Sequence, residues 1–185
     1  MNIACIGWGS LIWNLDGFPI RGDWEKDGPK LKVEFVRQSK DGRLTLVLSP
    51  NARPITTLWA LIAKDNIHEA IESLKVREKI SSHNNNFIGH VFNGSNETDE
   101  LKKTIENWLK LKSLDAAIWT NLPCRFNNKK VEPSITAAVE YLKNLPDDIK
   151  KIAEEYVRRA PRQVDTEYRR IFESELNWKA LIDNI

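Results

Sequence analysis

The spacing of apolar and polar positions divides the chain into a first part rich in strands and a last part that is helical. Short apolar or alternating runs predict strands over residues 3–8, 31–38, 44–48, 56–63, 87–92 and 116–120. Asp41-Gly42, between two of these runs, predicts a hairpin because glycine readily takes the positive φ that tight turns need. The segment 14–30, rich in glycine, proline and charge, predicts a surface loop.

Apolar residues three and four positions apart indicate two helices in the middle of the chain. One runs from Asn66 to about Arg77, and the other from Thr98 or Asp99 to about Lys112. From about residue 132 the pattern is wholly helical, with helices starting near Pro133, Pro146 and Val164. Strands first and helices last predict an α+β fold. We expect a single domain over residues 1–185 with a helical C-terminal extension from about residue 132.

Composition narrows the classes of partner. The net charge of +2 comes from 28 basic and 26 acidic residues mixed along the 185-residue chain, which favours neither nucleic acid nor an anionic membrane surface. Cys5 and Cys124 lack the spacing of a disulfide framework or a thiolate metal site, which fits a reducing cytosol. The chain has no apolar run near the roughly 20 residues that span a bilayer, and its start lacks the basic segment of a signal peptide. We expect a cytoplasmic protein with a small-molecule partner and no metal; the sequence does not indicate the oligomeric state.

The first strand ends in a turn that carries two glycines, Gly7-Trp8-Gly9-Ser10-Leu11-Ile12-Trp13. Such a turn can direct successive backbone N–H groups into a cavity and hold a carboxylate or an oxyanion. On its own, the pattern favours a tight turn packed by tryptophans. Its spacing is neither the dinucleotide fingerprint nor a P-loop, and Ser10 lacks the context of a serine-hydrolase nucleophile.

Glu78 follows the first predicted helix, between Arg77 and Lys79. Taken alone it is typical of a solvated charge. If it is buried beside the glycine turn, one carboxyl group can accept and return a proton as a general acid/base. His68, His83 and His90 show no spacing of metal ligands and are expected to be ordinary helix, loop and strand residues.

Taken together and in this order, the turn and the later glutamate resemble motifs of the γ-glutamylcyclotransferase superfamily, nearest its ChaC-like branch. Residues 9–14 match the family's Gly-Ser-Leu-Ile-Trp-Asn turn, and Arg77-Glu78-Lys79 matches its later Arg-Glu-Lys. Phe35, Arg37, Ser39 and Thr57-Leu58 also look like the family's middle strands. The resemblance covers the chain from its start to about residue 95 and is loose beyond.

The resemblance implies a small mixed or antiparallel β-barrel with flanking helices and a cavity at one end. It implies a cofactor-free lyase or acyltransferase in which the α-amine of a γ-glutamyl group attacks its own γ-carbonyl. The products are 5-oxoproline and the attached amine or peptide, as in glutathione metabolism. Glu78 is the expected general acid/base, and the turn is the expected cradle for substrate oxygen. The implied substrate-binding residues are Trp8, Gly9, Ser10, Leu11, Ile12, Trp13 and Arg37.

Two departures leave the substrate open. Trp8 stands where the family usually has tyrosine, and Asn84-Asn85-Asn86 stands where ChaC-like members commonly have Gly-Gly-Tyr. The leaving group is therefore cysteinylglycine, another amino acid, a polyamine or a modified small molecule. The alternative function is a non-catalytic module that binds a small ligand or a peptide end on the same fold. A third hypothesis, contact of residues 156–162 with an acidic partner, is weaker than a solvated helix end.

Overall fold

The computed structural model describes residues 1–81 and 83–181, and over these residues it has the predicted α+β class. The described strands are β1 (Ile3–Gly7), β2 (Ile20–Glu25), β3 (Lys30–Gln38), β4 (Leu44–Leu48), β5 (Pro54–Thr56), β6 (Leu58–Ile62), β7 (Ile88–Phe92) and β8 (Ala116–Thr120). The described α-helices are α1 (Ile67–Arg77), α2 (Glu100–Lys112), α3 (Ile135–Lys143), α4 (Asp147–Arg159) and α5 (Glu167–Leu176), with a short 3-10 helix at Asn85–Phe87.

The chain forms two compact units. The first comprises Met1–Gly7, Asn14–Leu31 and Thr56–Leu122. The second comprises Trp8–Trp13, Lys32–Ile55 and the chain from Pro123 onward. The single domain over residues 1–185 stays a prediction.

The first unit is built on a five-stranded mixed sheet in the order β2-β6-β1-β8-β7. The central strand β1 pairs antiparallel with β6 and parallel with β8, and all five of its residues are buried. Helices α1 and α2 pack against β7 and β8. Their caps are local, because the side chains of Asn66 and Asp99 accept hydrogen bonds from the first-turn amides of His68 and Lys102. Both helices agree with the sequence prediction.

The second unit contains most of a three-stranded sheet, β4-β3-β5, together with α3, α4 and α5. Strands β3 and β4 form the predicted hairpin, with Gly42 at a φ of +84°. Helix α3 contacts α4 and α5, and α4 contacts β4. An aromatic cluster fills the core, in which Phe35 meets Tyr156 and Phe172 edge to face at ring-centroid distances of 6.3 and 5.8 Å.

Two predictions about the strands are wrong. The segment 14–30 is not wholly a loop, because it contains β2, an edge strand that hides Trp24 while most of its other residues face solvent. Glycine and charge are tolerated at a sheet edge, so composition concealed the strand. The predicted run 56–63 is split at Thr57, whose hydroxyl and amide both donate to the carbonyl of Pro29.

A closed barrel is not seen in the described residues. The five-stranded sheet has β2 and β7 as its two edges, and the three-stranded sheet has β4 and β5. The predicted strands 31–38, 44–48 and 56–63 do not form one sheet, because β6 pairs with β1 and β2. The coarser prediction, an α+β fold with a helical C-terminal third, is confirmed.

Candidate active site

Glu78 occupies the C-terminal cap of α1 in the first unit, with φ −83° and ψ 1°. The helix ends there because Lys79 takes the left-handed conformation at φ 53°. The amide of Lys79 then donates to the carbonyl of Val76 at 3.1 Å, and that of Ile80 to the carbonyl of Lys75 at 2.9 Å. This pair of bonds is a Schellman motif, in which the left-handed residue, here Lys79, is usually a glycine. A lysine there is a strained residue directly after the candidate acid/base.

The Glu78 carboxylate is held by the preceding residue. Nη1 of Arg77 donates to Oε1 of Glu78 at 2.5 Å, and Nη2 of Arg77 donates to the carbonyl oxygen of Asn14 at 2.6 Å. The two side chains are 7% and 17% exposed, so both are largely withdrawn from water. Consecutive residues within a helix do not face each other. The pair forms here because Glu78 has already left the helical conformation.

Cys5 of β1 is close enough to this pair to be affected by its charges. Burial raises the pKa of the Cys5 thiol far above its ordinary value, the Glu78 carboxylate raises it further, and Arg77 opposes them. The thiol therefore stays protonated and is a poor nucleophile. Cys5 is therefore not a candidate nucleophile at this end of α1.

The turn after β1 belongs to the second unit. The amide of Ile12 donates to the carbonyl of Gly9 at 3.0 Å and closes the turn. Gly9 does not adopt a positive φ. It is required for space, since a Cβ at this position would lie 2.7 Å from the hydroxyl of Tyr156. The conformational freedom expected from the sequence is thus not the reason for glycine at position 9.

Aromatic side chains fix the turn in place. The indole N–H of Trp8 donates to the carbonyl of Leu46 at 3.2 Å, and the amide of Leu46 donates to the hydroxyl of Tyr156 at 3.3 Å. Trp13 meets Tyr156 edge to face at 5.5 Å. Leu46 of β4 thereby links Trp8 of the turn to Tyr156 of α4, through its carbonyl and its amide respectively. The side chains of Trp8, Leu11 and Ile12 are buried, while Ser10 and Trp13 are partly exposed.

Arg37 lies on β3 of the second unit and is half-buried. Its Nη1 donates to the carbonyl of Pro123 at 2.6 Å. Burial and the nearby charge of Arg125 lower the pKa of the Arg37 guanidinium. The side chain is therefore already engaged with the chain that follows Leu122.

The structure brings the predicted residues together in two groups. Arg77, Glu78 and Asn14 meet in the first unit. The turn residues 8–13 meet Tyr156 in the second unit. In the sequence, Arg77 stands out only as part of the Arg-Glu-Lys motif, which is the one signal for its role. The sequence does not predict that Tyr156 lies at the turn, because nothing in the local pattern links α4 to Gly9.

A surface groove of about 690 Å³ in the second unit is a weaker candidate. It is lined by Arg162, Asp165, Arg169, Arg170, Glu173, Ser174, Lys179 and Ala180. Its charged groups are engaged within the protein, because Arg169 donates to three backbone carbonyls and Arg170 forms a two-bond ion pair with Asp165. None of the predicted site residues lines it.

The part of the chain that the structure describes contains no candidate metal site, no disulfide and no membrane-spanning helix. Within residues 1–81 and 83–181, no group of three histidine, cysteine or acidic residues is arranged to hold a metal. Cys5 and Cys124 are both free thiols. Among the described helices, none has the length and apolar character needed to cross a membrane. Compared with known proteins, the sequence matches no family model and no curated protein.

Proposed function

We propose that this protein is a cofactor-free γ-glutamylcyclotransferase-type enzyme that converts a γ-glutamyl amine or peptide into 5-oxoproline and the free amine. Glu78 is the general acid/base. The observation that carries the proposal is the Arg77 guanidinium, which hydrogen-bonds both Glu78 and the backbone of Asn14. Asn14 closes the first of the two motifs on which the family resemblance rests, and Glu78 lies in the second.

The reaction needs one proton to move twice. The α-amine of the substrate loses a proton to the Glu78 carboxylate as its nitrogen forms a bond to the γ-carbonyl carbon. The bond from that carbon to the leaving nitrogen then breaks, and Glu78 returns the proton to the departing amine. The carboxylate ends as it began, which is why a single general acid/base suffices. Closing a five-membered ring makes the attack intramolecular and favours it entropically.

The turn at residues 8–13 supplies the cradle in this proposal. The amides of Gly9, Ser10 and Leu11 are the groups assigned to the substrate oxygen on which negative charge develops. The packing of Trp8 and Trp13 supports this role, because a cradle must be held rigidly to stabilise charge without reorganising. Arg37 is assigned to the α-carboxylate of the substrate through its remaining donors. A cytoplasmic location is part of the proposal.

The decisive experiment measures 5-oxoproline release by mass spectrometry from glutathione, γ-glutamylalanine and a γ-glutamyl polyamine. Glu78→Gln is expected to lower the rate by about 100-fold or more, because general acid–base catalysis contributes factors of this size. Glu69→Gln is the matched control, since Glu69 is an exposed glutamate on the same helix. Full activity in Glu78→Gln would exclude this mechanism. A ligand that copurifies while the panel yields no 5-oxoproline would favour the non-catalytic binding module.

The turn has a separate test. Gly9→Ala is expected to lower activity and to destabilise the fold by about 1–3 kcal/mol, the usual cost of overpacking, because its Cβ meets the Tyr156 hydroxyl. Tyr156→Phe removes that hydroxyl and should relieve most of the clash in the double variant. Equal costs of Gly9→Ala in both backgrounds would show that Tyr156 is not the reason for glycine.

A further inference from the structure

The Arg77 side chain makes two directed hydrogen bonds, whereas balancing the charge of Glu78 would need only one contact. Its guanidinium is a planar fork with parallel donors. One end of the fork engages Glu78 Oε1 and the other engages the Asn14 carbonyl, which is 63 positions away in the chain. The side chain is only 7% exposed. An arginine fixed at both ends in this way sets the direction of the carboxylate as well as its charge.

The two oxygens of Glu78 are consequently different. Oε1 accepts the short hydrogen bond from Arg77. Within residues 1–81 and 83–181, Oε2 has no hydrogen-bond donor. A proton can be taken up most easily on the oxygen that is not already bound to a cation, because protonating Oε1 would displace the guanidinium.

We propose that Arg77 is a positioning residue that holds Oε1 of Glu78, so that the substrate proton is taken up and returned through Oε2. This inference rests on the proposed function. It adds a residue and an atom to the mechanism: Arg77 neither touches the substrate nor exchanges a proton. Removing Arg77 leaves a carboxylate that can rotate, so that its productive orientation is populated for only part of the time.

The first test does not depend on any substrate. Nitrogen-15 NMR of the arginine side chains reports rotation of the guanidinium groups. The Arg77 Nη groups are expected to rotate slowly in the wild type and about tenfold or more faster in Glu78→Asp, in which the carboxylate is withdrawn by one methylene from a charge-assisted hydrogen bond. Arg159 provides the comparison, since its ion pair with Glu155 is exposed on α4. Arg77 resonances as mobile as those of Arg159 in the wild type would overturn the proposal.

The second test uses whichever compound of the γ-glutamyl panel the wild type converts. Arg77→Ala is expected to lower kcat by about 100-fold, the size of effect that a misplaced catalytic group produces, with KM changed by less than about threefold. Guanidinium chloride, but not the same concentration of sodium chloride, should restore part of the loss. Arg77→Lys should retain intermediate activity, because an ammonium group supplies the charge but not the fork.

The outcomes separate the two proposals. A raised KM with an unchanged kcat would make Arg77 a substrate-binding residue and overturn its positioning role. Full activity in Arg77→Lys would show that charge alone suffices and would also overturn it. If the wild type releases no 5-oxoproline from any compound, the proposed function fails, while the NMR comparison still decides whether Arg77 holds Glu78. Circular dichroism and thermal unfolding of each variant confirm that the fold is retained.

Discussion

Glu34 and Glu78 are two largely buried carboxylates in different units. One lies at the N-terminus of a helix and the other at the C-terminus of a helix. Glu34 is a residue of β3 and is 4% exposed, and its carboxylate lies at the N-terminus of α5. Its oxygens accept from the hydroxyl of Thr166 at 2.6 Å and from the amides of Phe35 and Tyr168 at 2.9 and 3.3 Å. Glu78 lies at the C-terminus of α1 and is held by the side chain of Arg77. One carboxylate is fixed by backbone and hydroxyl donors, and the other by a single cation.

The difference separates a structural carboxylate from one suited to chemistry. A negative charge is stabilised at the N-terminus of a helix and destabilised at its C-terminus. Glu34 therefore acts as part of the cap of α5, in which Thr166 in turn accepts from the amide of Arg169. Glu78 occupies the unfavourable end, next to a strained Lys79. Of the two carboxylates, Glu78 is therefore the better candidate for function.

The comparison predicts that replacing Glu34 has the largest effect on the free energy of unfolding. Glu34→Ala leaves the Thr166 hydroxyl and the two amides without their acceptor, and each such group costs about 1–3 kcal/mol when buried. We expect a total loss of about 3 kcal/mol or more in the free energy of unfolding, measured by urea denaturation. Glu167→Ala, at an exposed neighbour, is the control. A loss below about 1 kcal/mol for Glu34→Ala would remove the structural side of the comparison.

The second prediction concerns pH. Burial raises the pKa of the Glu34 carboxyl above its ordinary 4.5, despite the opposing hydrogen bonds from Thr166, Phe35 and Tyr168. A raised pKa means that the folded state binds the proton more tightly than the unfolded state. The contribution of Glu34 to stability is therefore complete below about pH 4.5 and is lost as the pH rises through its folded-state pKa.

Glu34→Gln should remove this pH dependence, because glutamine does not titrate. The measurement is the free energy of unfolding of the wild type minus that of Glu34→Gln, followed from pH 4 to pH 7. We expect the difference to become less favourable to the wild type as the pH rises. A difference that grows with pH would mean that Glu34 is stabilised in its charged form.

The third prediction tests the strain at the end of α1. Lys79 adopts a left-handed conformation, which glycine takes without the steric penalty of a Cβ. Lys79→Gly should therefore raise the free energy of unfolding by about 0.5–1 kcal/mol. Lys79→Ala, which keeps the Cβ, is the matched control and should give no such gain. Equal effects of the two variants would show that the lysine side chain, rather than the backbone, sets the local energy.

The sequence predicts those elements that depend on interactions between residues close together in the chain. Helices α1 and α2 are predictable from the sequence because Asn66 and Asp99 cap amides only two and three residues away. Glu34 stands at a polar position of the alternating run 31–38, which would place it on the solvent face of the strand, yet it is buried. Its partner Thr166 is 132 positions distant, and no window on the sequence joins them.

The candidate site shows the same division. The motif around Glu78 was readable as a resemblance, because residue types and their order are properties of the sequence. The contact of Arg77 with Asn14 spans 63 positions, and the steric contact of Gly9 with Tyr156 joins the turn to α4. Both follow from the tertiary fold alone. The sequence thus identified the candidate residues. The reason for glycine at position 9 and the orientation of Glu78 could be seen only in the structure.

The smallest expected effect is on the stability of Glu78→Gln, and it sharpens the comparison most. Removing the charge relieves an unfavourable interaction with the helix dipole, worth about 0.3–1 kcal/mol. It also weakens the bond to Arg77, although the glutamine oxygen can still accept from Nη1. Because the two changes oppose each other, the free energy of unfolding should shift by less than about 1 kcal/mol. Urea denaturation of Glu78→Gln beside Glu34→Gln measures the contrast directly. A loss of about 2 kcal/mol or more at Glu78 would identify it as a second structural carboxylate, and a loss of activity in Glu78→Gln would then no longer indicate catalysis.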